Sequence, residues 1–129
     1  MVVLMRHAWI SLGLVAAVFV LAVAAVQRPE PGPPAEEPQV IEISAERFSF
    51  YPSRIEVKAG TLVEFRLTSE DTAHGFHIVD TDVDVEIPKR ARGSISVRFR
   101  AETGRYTFEC SRVCGAGHAF MRGEIVVAE

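Results

Sequence analysis

The chain has only two cysteines in 129 residues, which excludes the disulfide-dense scaffolds that staple small secreted domains. It has no excess of basic charge. A net charge of −3 and a pI near 5.8 exclude nucleic acid as a partner class. Tryptophan occurs once, as Trp9. There is no internal repeat, and from Val40 onward no stretch carries a helical hydrophobic period.

What is present divides unevenly along the chain. The length admits one domain and not two. Ala8–Val26 is a run of nineteen uncharged residues, interrupted only by Ser11 and Gly13. As a helix it would span roughly 28 Å, close to the hydrocarbon thickness of a bilayer. Residues 1–28 are therefore expected to form a single transmembrane helix, an anchor with the N-terminus inside. Ala22-Val23-Ala24 offers a signal-peptide cleavage site as the competing reading. Either way, the rest of the chain is expected on the extracytoplasmic face of the cell membrane. Residues 29–39 follow as a linker whose first ten, PEPGPPAEEP, hold five prolines and three glutamates. That composition cannot bury a core and predicts a semi-rigid spacer of about 30 Å.

Residues 40–129 alternate with a period of two. Ile41 and Ile43 flank Glu42, and Ile55 and Val57 flank Glu56. Val63, Phe65 and Leu67 alternate with Glu64 and Arg66. Val79–Ile87 reads as one strand, with Asp80, Asp82, Asp84 and Glu86 on its polar face. Turn signals at Pro88, Gly93, Gly104 and Gly123 separate the later segments. The pattern predicts seven or eight strands in an antiparallel β-sandwich. The acidic stripe admits two readings: a docking surface for a basic protein, or a solvated face neutralised across a hairpin by Arg98 and Arg100.

Between the last two strands, Cys110, Cys114, His118 and Met121 fall within twelve residues. Thiolate, imidazole and thioether are soft or borderline donors, a set that selects copper over magnesium, calcium or manganese. Two thiolates on one loop can bridge two metals. A further imidazole must come from His74 or His77. These are three apart, so on a strand they point to opposite faces and only one can join the site. Other readings stand beside this one: a small-loop disulfide, a structural zinc held by Cys110, Cys114, His118 and His74, or Met121 as core filler. Each accounts for part of the cluster.

The run Cys-x3-Cys-x3-His-x2-Met, with a histidine upstream at the start of a strand, resembles the binuclear CuA centre of cytochrome c oxidase subunit II. The form it most resembles is the single-helix subunit II of B-type haem-copper oxidases. The likeness runs from about Arg47 to the C-terminus and includes Phe48–Tyr51, Ile55-Glu-Val, Thr68-Ser, His74-Gly-Phe-His and Gly123-Glu-Ile-Val-Val. It implies an all-β, Greek-key cupredoxin sandwich. It also implies two copper ions bridged by Cys110 and Cys114, with His74 and His118 as terminal imidazoles. Met121 and the backbone carbonyl of Arg112 would be weak ligands, and His77 would not be a ligand. Phe76 and Phe120 would supply a hydrophobic shell.

By the same resemblance, the chain is the electron-entry subunit of an oxidase complex and carries no oxygen-reducing site of its own. Electrons would arrive from cytochrome c or a small cupredoxin and leave for haem in subunit I. Two departures narrow the likeness. Arg112 stands where many members carry a glutamate that helps bind an interfacial magnesium, so the resemblance does not extend to that ion. A tryptophan-rich electron-entry patch is missing, which leaves Phe48, Phe50 and Tyr51 either to contact cytochrome c or to pack the core. Still open are a CuA subunit of another respiratory complex such as a nitric oxide reductase, a membrane-anchored copper-delivery protein, and a metal-free disulfide module.

Overall fold

The computed structural model describes Gly32 and residues 35–129. The expected anchor and linker residues 29–31, 33 and 34 lie outside the described residues. Among the described residues, no helix is long and apolar enough to cross a membrane.

The described residues form nine strands: β1 (Gln39–Glu46), β2 (Ser49–Tyr51), β3 (Arg54–Lys58), β4 (Leu62–Ser69), β5 (His74–Ile78), β6 (Asp84–Ile87), β7 (Ile95–Arg100), β8 (Gly104–Glu109) and β9 (Arg122–Ala128). They form two sheets, ordered β2-β1-β4-β7 and β3-β9-β8-β5-β6. The all-β sandwich is as expected, but the sheets are mixed and not purely antiparallel. β1 runs parallel to β4, with Ile43 opposite Leu67, and β3 runs parallel to β9, with Ile55 opposite Ile125. Alternation shows which face of a strand is buried and carries no information about the direction of its neighbour.

Val79–Ile87 is not one strand. Thr81 breaks it: its hydroxyl donates to the Ile78 carbonyl at 2.7 Å and accepts from the Val83 N–H at 3.2 Å. Asp80 takes a left-handed conformation at φ 63°, which a short polar side chain tolerates. The chain thus doubles back between β5 and β6, and the acidic stripe is divided. Its neutralising partners also differ from those expected, because β6 and β7 belong to different sheets. Arg98 pairs with Glu64 and Arg100 with Glu36, while Asp84 and Glu86 meet Ser111 and Arg112.

The inward faces meet in a phenylalanine cluster. Phe50 packs on Phe76 and Phe108 of the other sheet and Phe65 on Phe76, with ring centroids 5.3–5.9 Å apart, while Phe76 and Phe108 lie 5.2 Å apart within their own sheet. Edge-on and tilted contacts of this kind contribute about 0.5–1.5 kcal/mol each beyond area burial. Phe76 lies two residues after His74 and Phe108 two before Cys110. Since side chains alternate along a strand, both metal-site candidates continue this inward face to the end of the sandwich.

Candidate metal centre

The register of β5 against β8, with His77 opposite Glu109 and Ile78 opposite Phe108, brings the start of β5 beside the end of β8. His74 is thereby placed next to the loop that begins at Cys110. That loop closes on itself: the Cys110 N–H donates to the Met121 carbonyl at 3.0 Å, and His118–Phe120 forms a single 3-10 turn. Gly75 allows the close approach. A Cβ there would lie 2.7 Å from the backbone nitrogens of both Ser111 and Arg112. Phe48, in the turn after β1, lies beneath the loop against Gly115 and Gly117.

All six expected donors are brought together. The Sγ atoms of Cys110 and Cys114 are 3.8 Å apart. His74 Nδ1 lies 3.9 Å from Cys110 Sγ, and His118 Nδ1 lies 3.9 Å from Cys114 Sγ. Met121 Sδ is 3.8 Å from Cys114 Sγ, and the Arg112 carbonyl oxygen is 3.0 Å from Cys110 Sγ. His74 is 0% exposed, Met121 1%, Cys110 5% and Cys114 6%. His77 sits half-buried on the opposite face of β5.

Both thiols are free, at nearly twice the length of a disulfide bond. The four donors of the zinc reading also do not converge on one ion. A single tetrahedral zinc would hold its ligand atoms roughly 3.3–3.8 Å from one another. Among the described residues, His74, Cys110 and Cys114 form a group with donors mutually within 4.8 Å, and His118 falls outside it. The order is instead linear, with a pair of sulfurs in the middle and a separate imidazole beside each.

Groups around the donors fix their orientation. Asp71 Oδ1 meets His74 Nε2 at 2.7 Å, which leaves Nδ1 facing the sulfur. Burial raises the Asp71 pKa, but the His74 hydrogen bond and the N–H groups of Arg47 and Thr72 outweigh it, so the carboxyl stays below its ordinary value. The Gly75 N–H donates to Cys110 Sγ at 3.4 Å. Asp84 accepts from the Ser111 hydroxyl at 2.6 Å, and Glu86 pairs with Arg112, tying the loop to edge strand β6. Sequence reasoning missed Asp71 and Arg47. Asp71, three residues before His74, carries the available signal, since metal-bound imidazoles commonly hydrogen-bond a carboxylate. One aromatic expectation needs correcting: Phe76 is buried, but Phe120 is 81% exposed and forms no shell. Of the other three, Phe50 packs the core, Phe48 lies against the loop glycines, and Tyr51 is exposed.

Burial, with the neighbouring Cys110 sulfur, pushes the Cys114 thiol from an ordinary 9.0 up to about 11. The unfolded chain releases this proton first as pH rises, so the folded state loses relative stability through that interval. Melting of the metal-free chain should therefore be insensitive to this group below about pH 9 and fall toward pH 11. Cys114→Ser should flatten that decline, and an equally steep decline in the variant would show another group to be responsible.

The sequence matches the model of the cupredoxin-like domain over residues 13–127. It is 36% identical over 89 residues to cytochrome c oxidase subunit 2 of Thermus thermophilus, an alignment covering 69% of this chain and 65% of that protein. The chain thus spans just under two thirds of that relative's length. A chain of a heme-copper terminal oxidase dimer superimposes with a TM-score of 0.58 at 29% identity, over 69% of this chain and 64% of that one. The periplasmic domain of cytochrome oxidase subunit II of Bradyrhizobium japonicum shares the fold, with a TM-score of 0.63 at 20% identity over 70% and 84% of the two chains. With its two mixed sheets and its cysteine–histidine–methionine loop at one end, the chain belongs to the cupredoxin-like domain family, and oxidase subunits II are among its relatives.

Proposed function

We propose that this chain is the electron-entry subunit II of a haem-copper cytochrome c oxidase, with a binuclear CuA centre held by His74, Cys110, Cys114, His118, Met121 and the carbonyl of Arg112. The observation that carries the reading is the linear donor order, two sulfurs 3.8 Å apart with one imidazole nitrogen at 3.9 Å from each. When bound there, a copper pair held by Cys110 and Cys114 would supply a one-electron store. The protein's part is to hold its donors still. Asp71 locks the His74 ring, the Gly75 N–H stabilises negative charge on Cys110, and the phenylalanine core keeps water from the buried sulfurs. Burial of His74, Met121 and both cysteines also favours retention over the ready exchange that copper delivery requires.

In this reading a cytochrome c or small cupredoxin gives electrons to the centre, and haem in subunit I receives them. In the same reading, residues 1–28 would serve as the membrane anchor and the copper domain would face the extracytoplasmic side. The full chain loaded with copper should hold two ions tightly, be purple, and show one electron delocalised over both. One copper per chain, or ready loss to a mild chelator, would sink the electron-transfer reading. His77→Ala should keep both coppers, whereas His74→Ala should lose the delocalised signal; the reverse pattern would move the ligand to His77.

A further inference from the structure

Arg47, in the turn between β1 and β2, touches both halves of the site. Its side-chain Nε donates to the Cys114 carbonyl at 2.8 Å in a partly buried contact. Its backbone N–H donates to Asp71 Oδ2 at 3.0 Å, on the same carboxylate whose other oxygen holds His74. The adjacent Phe48 ring fills the space under Gly115 and Gly117. One turn of the chain thus contacts the loop at the second cysteine and the acid that orients the β5 histidine.

We propose that Arg47 is a positioning residue for this centre, fixing the Cys114 carbonyl and setting a permanent positive charge at the residue that carries the second sulfur, so that the reduced state is favoured. The proposal rests on the copper reading of the loop. A guanidinium is always charged and its planar donors hold direction, whereas a lysine would supply charge without that fixed geometry. The guanidinium stands on the residue that carries the second sulfur, since its Nε lies 2.8 Å from the Cys114 carbonyl oxygen. An electron added to the centre lowers its net charge by one, and a nearby cation stabilises that state over the oxidised one. Arg47 therefore raises the tendency to accept an electron, which suits a site that must take electrons from a donor.

The test uses the full chain loaded with copper, in wild-type form and as Arg47→Gln, Arg47→Met and Arg47→Lys. Gln keeps an N–H donor without charge, Met removes both, and Lys keeps the charge. We expect Gln and Met to lower the reduction potential, shifting the electron-exchange equilibrium about tenfold, or about 59 mV for one electron. Lys should recover most of that shift, and all three should retain two coppers. A purely structural role would lower the melting temperature and leave the potentials alike. Equal potentials in wild type, Gln and Met would overturn the proposal, and Gln and Lys carry the test should Met not fold. In the metal-free chain, the Arg47 Nε–H should exchange slowly with solvent, and free exchange would likewise overturn the clamp. A wild-type chain that binds fewer than two coppers is a different failure, that of the centre itself.

Discussion

Cys114→Ser should abolish the proposed binuclear centre. Cys114 Sγ lies within 3.8 Å of both Cys110 Sγ and Met121 Sδ and 3.9 Å from His118 Nδ1, so three donors converge on it. A serine hydroxyl fills nearly the same space but is a hard, neutral donor that does not lose its proton at working pH, and soft copper discriminates against it. We expect copper to fall from two per chain to one or none, with loss of the purple colour and of the delocalised electron. The fold should persist, because the exchange removes little volume from a site whose packing rests on Phe76 and Phe108. The metal-free variant should lose no more than about 1–2 kcal/mol, the range for a buried hydroxyl left partly unsatisfied. A variant holding two coppers with an unchanged spectrum would show that Cys114 does not bridge.

Gly75→Ala should damage the site without touching a single proposed ligand. The new Cβ would collide with the Ser111 hydroxyl oxygen and sit 2.7 Å from the backbone nitrogens of Ser111 and Arg112. The hydroxyl can rotate away, but the two backbone atoms move only if the loop does. Displacing that segment would move the Arg112 carbonyl from its 3.0 Å approach to Cys110 Sγ and stretch the Gly75 N–H contact to the same sulfur. Overpacking of this kind costs about 1–3 kcal/mol. Disturbed outer contacts lower metal affinity by about 10–100-fold. Adding Ser111→Ala should not rescue the variant, since the backbone clash remains. Copper content and melting temperature together check this; wild-type values for both would mean that the loop does not lie against β5 as described.

Four of the six proposed donors, Cys110, Cys114, His118 and Met121, were legible in the sequence because they fall on one loop, whereas the Arg112 carbonyl followed only from the family resemblance. Donor type and spacing on a short connection survive any global rearrangement, so they announce soft-metal chemistry before a fold is known. The inward direction of His74 was legible only as a choice between two faces. The β5–β8 register and the phenylalanine core made that choice, placing His74 inside and His77 on the other face. The supporting contacts were not legible. Arg47 and the Cys114 carbonyl it holds are 67 residues apart, and nothing local to either names the other.

The same division holds across the fold. Alternation from Val40 onward determined an all-β sandwich, because side-chain direction along a strand is a local property of the backbone. It misread Val79–Ile87, where a threonine side chain captured backbone groups and turned the chain. It could not determine the parallel pairings of β1 with β4 and β3 with β9, which join segments separated by other strands. By itself, then, the sequence determined which faces are buried and which atoms can hold a metal. Only the tertiary structure decided which strands are neighbours, which histidine points inward and which charged groups stand behind the donors. Those depend on contacts between distant segments, and a periodicity read along one segment holds no term for them.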